Sequence, residues 1–126
     1  MAISQVYLGR AKYKFSVDGG AADTAITLDN NFTLPVNAMI IGAWTDTKTA
    51  LATASGTCNV ALAIGGVTIK AATAHGHADY TGIDYHLART SAALTTASGS
   101  VVFTTSNSVA LNAGEMDIYV EYILAD

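Results

Sequence analysis

A chain of 126 residues with one cysteine, six basic and ten acidic side chains, and a formal net charge of −4 fits a single domain, 1–126, and lacks the basic footprint of a nucleic-acid binder. At this length about two thirds of the unfolded surface can be buried without disulfides or a metal, and one cysteine, Cys58, excludes an intrachain bridge. Charged residues are 13% and hydrophobic residues 51% of the chain, against roughly 25% charged in an ordinary soluble domain, so Thr, Ser, Ala and Gly must cover much of the surface, as suits a protein packed against neighbours.

The first ten residues have neither the apolar core nor the charge order of a secretory signal. No apolar run approaches the ~20 residues that span a bilayer, so no membrane partner is expected. The first periodic element interleaves Lys12, Lys14 and Ser16 with Ala11, Tyr13, Phe15 and Val17. That period of two predicts a strand with one apolar face and one basic face, which Arg10 joins. Asp18-Gly19-Gly20 supplies turn chemistry to end it. A short run from Thr24 to Leu28 ends at Asp29-Asn30-Asn31. Pro35, the only proline, is placed in a connection, and a third strand is predicted from Ala38 to Thr47.

Gly65-Gly66 predicts a two-residue hairpin, because glycine supplies the positive φ that such loops need. With Ile64 facing Val67, the register pairs Leu62 with Ile69 and Val60 with Ala71 on one apolar face. Ala63 with Thr68 and Ala61 with Lys70 make the more polar face. A second hairpin is predicted to join Val101–Thr105 to Ser108–Leu111 through Ser106-Asn107. The stretch from His75 to Ser98 is less regular, with room for a long loop, one short strand near Asp84–Ala88, or a single helical turn. The last strand runs from Glu115 to Leu124, with Met116, Ile118, Val120, Tyr122 and Leu124 alternating against Asp117, Tyr119, Glu121 and Ile123. Asp117 and Glu121 are suited to pair with the basic face of the first strand, each pair contributing a few tenths of a kcal/mol to about 1 kcal/mol. Short strands, frequent turns and no convincing helix predict an all-β fold: a single-domain antiparallel β-sandwich or barrel.

The one cluster with metal-ligand chemistry is His75, His77 and Asp79, followed by Asp84 and His86. In an extended segment the first three project to one side, and imidazoles with a carboxylate can hold zinc. The spacing is similar to the HxHxDH motif of metallo-β-lactamase-type hydrolases. Tyr80 stands where that motif needs a histidine, however, and the chain is too short for that fold. The expectation is a polar loop with no metal, no cofactor and no catalytic residue. Were all three histidines at a subunit contact, assembly would respond to pH near 6.5. Cys58 reads as a small half-buried side chain, and Gly65-Gly66 as a turn outside any phosphate-binding pattern. No Gly-x-Ser-x-Gly elbow is present, and Asp79/Asp84 lacks an acid–base context. Asn31-Phe32-Thr33 matches a glycosylation sequon without a secretory signal, and Asp29-Asn30-Asn31 reads as an Asx turn ahead of a calcium site. Tyr13, Phe15 and Phe103 are expected in the core. Trp44, Tyr80, Tyr85 and Tyr119 are candidates for an exposed cluster, which would suit sugar binding or a subunit contact.

Three blocks carry a resemblance: Phe32-Thr33-Leu34-Pro35 with Ala38–Trp44, Gly56–Gly65, and Leu111–Tyr122. Over roughly Phe32 to Ile123 the chain resembles small structural proteins of tailed bacteriophages, among them capsid decoration (cement) proteins with a jelly-roll-like β-sandwich. The resemblance implies a virion protein on the capsid surface, made in the host cytoplasm. It would bind the major capsid protein as a homotrimer and stabilise the shell, and it would not be an enzyme. The apolar and Ala/Thr-rich faces and residues Met1 to Leu8 are the expected contact regions. A receptor- or glycan-binding module of a tail fibre or spike is the alternative, and a zinc- or calcium-dependent enzyme the third reading.

Overall fold

Eight strands form the described part of the chain, residues 5–87 and 96–124 of the computed structural model. In chain order they are β1 (Tyr7–Lys14), β2 (Ala25–Thr27), β3 (Thr33–Ala52), β4 (Asn59–Ile64), β5 (Val67–Ala74), β6 (Gly82–Leu87), β7 (Thr96–Ser106) and β8 (Ala113–Leu124). One helical turn, α1 (Phe15–Asp18), follows β1, and a 3₁₀ turn (Ala78–Tyr80) precedes β6. All pairings are antiparallel. They define two layers, β1-β8-β3-β6 and β2-β7-β4-β5, joined at one corner where the start of β3 pairs with the start of β7. This strand order is that of a jelly roll, two Greek keys folded over one another. The predicted sandwich is therefore present, with its topology resolved.

Alternation drives the packing. Ala11 and Tyr13 on β1, and Met116, Ile118 and Val120 on β8, turn inward from one layer; Val60, Leu62 and Ile64 on β4, and Val101 and Phe103 on β7, turn inward from the other, and all are fully buried. The layers meet most intimately where Tyr13 stacks on Phe103, with ring centroids 4.0 Å apart and planes within 4°. Such a pair contributes about 0.5–1.5 kcal/mol beyond the area it buries. The Tyr13 hydroxyl keeps a partner by donating to the Gly19 carbonyl at 2.7 Å, so the ring is buried without stranding its polar end.

Several local expectations are corrected. Gly65 and Gly66 have φ of 55° and 83°, as a type I′ turn requires, and Ile64 faces Val67 and Ala63 faces Thr68 as expected. The register then slips: Leu62 meets Lys70 in place of Ile69, and Val60 meets Thr73 in place of Ala71. Two bulges on β5 cause the shift. They leave Ile69 as the one residue of β5 turned fully into the core, while Ala71 is exposed. Bulges twist an edge strand and blunt its pairing capacity.

The Ser106-Asn107 hairpin does not form. Asn107 and Ser108 do take positive φ, 74° and 58°, but the chain then crosses to the other layer, where β8 pairs with β1 and β3. On the way the Leu111 N–H donates to the Gly20 carbonyl and the Asn112 N–H to the Ala52 carbonyl, both at 2.8 Å. Pro35 lies within β3 and not in a connection. Pairing lapses between Leu34 and Ala38, and Asn37 has φ 66°, which is how a strand accommodates a residue with no N–H to donate. Phe15 and Val17 leave the strand for the helical turn, and Val17 is exposed.

Candidate functional site

The histidine segment is spread over separate partners. His75 Nδ1 lies 3.2 Å from the Cys58 amide nitrogen, so it accepts from the backbone of β4's entry. His77 Nδ1 accepts from the Asp79 amide at 3.0 Å and caps the 3₁₀ turn. Asp79 is held by Lys70 of β5; that hydrogen bond keeps its carboxyl below the usual carboxylate range. His86 on β6 faces inward, with only 1% of its side chain exposed. Its Nε2 meets Thr45 Oγ1 at 2.7 Å, while Nδ1 is buried without a hydrogen bond, 3.6 Å from Asp84 Oδ2. Burial pushes the His86 pKa down, against the opposing pull of Asp84. Among the described residues no three His, Cys, Asp or Glu side chains group to hold a metal ion. His86 is an interior residue, so the three histidines do not share one surface. Cys58 is fully buried and not half-buried, and burial raises its pKa.

Surface chemistry is organised by the two outer faces. On the β1-β8-β3-β6 layer, register places Arg10, Tyr119, Trp44 and Tyr85 in one row across all four strands. Trp44 lies 5.4 Å from Tyr119 and 5.5 Å from Tyr85 between ring centroids. The next row runs Lys12, Asp117, Asp46, Ile83. Ion pairs neutralise charge along this face: Arg10 Nε lies 3.6 Å from Asp117, Lys12 lies 3.2 Å from Glu115, and Lys48 lies 2.6 Å from Asp46. The adjacency of β1 and β8 and the Arg10–Asp117 pair are as the sequence suggested, and Glu115 supplies a second pair that it did not. Three of the four candidate aromatics cluster here. Tyr80 does not: it is buried and donates its hydroxyl to the Val60 carbonyl at 2.5 Å.

The opposite outer face is built from small side chains. Its rows read Thr27, Val102, Ala63, Thr68 and Ala25, Thr104, Ala61. Solved structures share this architecture. The fold is one found in phage capsids. A chain of the cyanophage Pam1 capsid asymmetric unit aligns with a TM-score of 0.64 at 19% identity, over 97% of this chain and 86% of that one. A chain of the acidic stable capsid of Helicobacter pylori bacteriophage KHP30 aligns with a TM-score of 0.61 at 17% identity, over 98% and 95%. No protein-family model and no curated protein matches the sequence. The jelly-roll-like β-sandwich that the sequence blocks implied is the fold the chain has.

One structural device escaped the sequence. The Asn31 side-chain amide donates to the Val101 carbonyl at 2.8 Å and accepts from the Val101 N–H at 3.2 Å and the Phe32 N–H at 2.9 Å. It thus imitates one residue of a neighbouring strand against β7. A lone Asn-Phe-Thr reads as a sequon or a turn, and only the strand order reveals its partner. Of the expected contact segment Met1 to Leu8, residues 1–4 lie outside the described residues, while Val6 and Leu8 are 45% and 56% exposed.

Proposed function

We propose that this chain is a bacteriophage capsid decoration protein that binds the outer shell as an oligomer, a trimer, and holds neighbouring major capsid subunits together. The observation that carries this reading is the near-full-length likeness of its fold to chains from two phage capsids. The weakly charged surface supports it, since a protein that works by being packed between neighbours gains little from a solvating shell of charges. The role is mechanical and non-catalytic. Each copy would add contacts that must separate before the shell can open, and attachment through several subunits lets modest affinities multiply.

Expanded capsids lacking the protein, mixed with purified chain, test the proposal. Near-stoichiometric loading and a higher temperature of DNA release are expected; capsids that neither bind it nor gain heat resistance would remove the reading. The aromatic row Trp44, Tyr85 and Tyr119 favours a second reading, a glycan-binding module of a tail fibre or spike. Retention of the isolated protein on host-surface polysaccharide, lost in Tyr85→Ala, would favour that alternative, as would tail labelling in imaged virions.

A further inference from the structure

An antiparallel sheet with one solvated face alternates apolar inward and polar outward. The β1-β8-β3-β6 layer breaks that rule on its outside. Leu8, Ile83 and Tyr85 are 56%, 67% and 69% exposed. Tyr85 packs against the half-buried ring of Trp44, which stacks on Tyr119; Ile83 lies one row to one side of these rings, opposite Asp46, and Leu8 one row to the other, opposite Glu121. Scattered exposed apolar residues are ordinary, but contiguous ones rimmed by polar side chains mark a contact surface.

The four strand edges are poor alternatives for association. β2 has three residues and β6 has six, β5 carries two bulges, and β1 presents Arg10, Lys12 and Lys14 with Asn30 bridged to Lys12. Short, bulged and lysine-bearing edges resist pairing with another chain. The Ala/Thr face of the other layer lacks the large rigid side chains that anchor interfaces. What remains is the aromatic face.

Its charge and size suit a second copy of this chain. Every copy carries −4, so identical molecules repel unless the meeting surfaces are locally neutral. On this face Arg10 is matched by Asp117 and Lys12 by Glu115, which leaves no block of one sign facing a neighbouring copy. Four strands about 4.8 Å apart, crossed over some 20 Å from Leu8 to Lys14, give a footprint on the order of 400 Å² before side-chain relief. Tall rings and branched aliphatics raise the accessible area toward the roughly 800 Å² that each partner contributes to a standard interface.

We infer that the outer face of the β1-β8-β3-β6 layer, centred on Trp44 and Tyr85, is the surface on which copies of this chain associate with one another. This rests on the oligomeric decoration reading and names its subunit contact. Trp44 is the only tryptophan, so its fluorescence reports on the face directly.

Sedimentation equilibrium of the full chain, with Trp44 emission followed on dilution, tests the inference. Wild-type protein is expected to be oligomeric at micromolar concentration, with emission shifting to the red as it dissociates. Ile83→Ser with Tyr85→Ser should weaken association at least tenfold, as should Leu8→Ser separately, while Val102→Ser on the opposite face should leave it unchanged. A monomeric wild type, an unaltered oligomer in the face variants, or equal dissociation by Val102→Ser would overturn it. Capsid loading is scored independently. If the face variants remain oligomeric but no longer load, the surface belongs to the shell and the inference falls. If they dissociate while wild-type protein never loads, the inference stands and the decoration reading falls.

Discussion

The two outer faces of this sandwich share one backbone plan and differ almost entirely in side-chain size. Across β6, β3, β8 and β1 the central row reads Tyr85, Trp44, Tyr119, Arg10; across β5, β4, β7 and β2 it reads Thr68, Ala63, Val102, Thr27. The interior is similar on both sides, because each layer must bury one face to fold at all. Outward positions carry no such obligation. A large apolar side chain placed there contributes little to folding, and that mismatch is what singles out one face as a contact surface.

The comparison can be attacked first through the interior that both layers share. Phe103→Ala removes the ring under Tyr13 and is expected to cost about 3–5 kcal/mol of stability, read from urea unfolding at fixed protein concentration. A loss below about 1 kcal/mol would mean the layers do not depend on this contact. Gly65→Ala tests the small-residue layer alone. A Cβ there would lie 2.3 Å from the Ser98 carbonyl oxygen at φ 55°, so clash and left-handed strain together predict a cost of about 2–3 kcal/mol. An unchanged midpoint would show that the turn can shift away.

His86 tests the aromatic layer from beneath. Its native pKa is depressed, so the unfolded chain binds this proton more readily. Stability is then complete above the unfolded value of about 6.5 and is lost as pH falls through that value toward the native one. Unfolding at pH 7 and pH 5 should show that loss, and His86→Gln should reduce the difference. An equal pH dependence in the variant would assign the effect elsewhere. The smallest effects are expected at the faces themselves: Tyr85→Ser and Val102→Ser should each change monomer stability by less than about 0.5 kcal/mol. A large loss from Tyr85→Ser alone would make the aromatic row a folding element and erase the contrast drawn between the faces.

The sequence made the interior legible and the exterior only partly so. Met116, Ile118 and Val120 alternate with polar neighbours, and that period of two survives any choice of partner strand. Gly65-Gly66 announces its turn because few residues tolerate its φ values. Register away from the turn is a different matter. Ile69 and Ala71 are both apolar residues at alternate positions of one strand, and only the bulges between them decide that one enters the core while the other faces out. The crossing after Asn107 was hidden for a related reason: Leu111 is buried between layers by contacts with residues far away in sequence. Trp44, Tyr85 and Tyr119 were visible as candidates, but their meeting depends on β8 and β6 flanking β3, which no local pattern encodes.

β3 continues through the gap in pairing at Pro35, and both it and β7 spend part of their length in each layer. The two halves of the sandwich therefore hang from common cables, and prying them apart would have to shear backbone ladders as well as separate side chains. Force applied across the molecule should meet a single abrupt yield point, with amide exchange along β3 and β7 slowing together as one cooperative class.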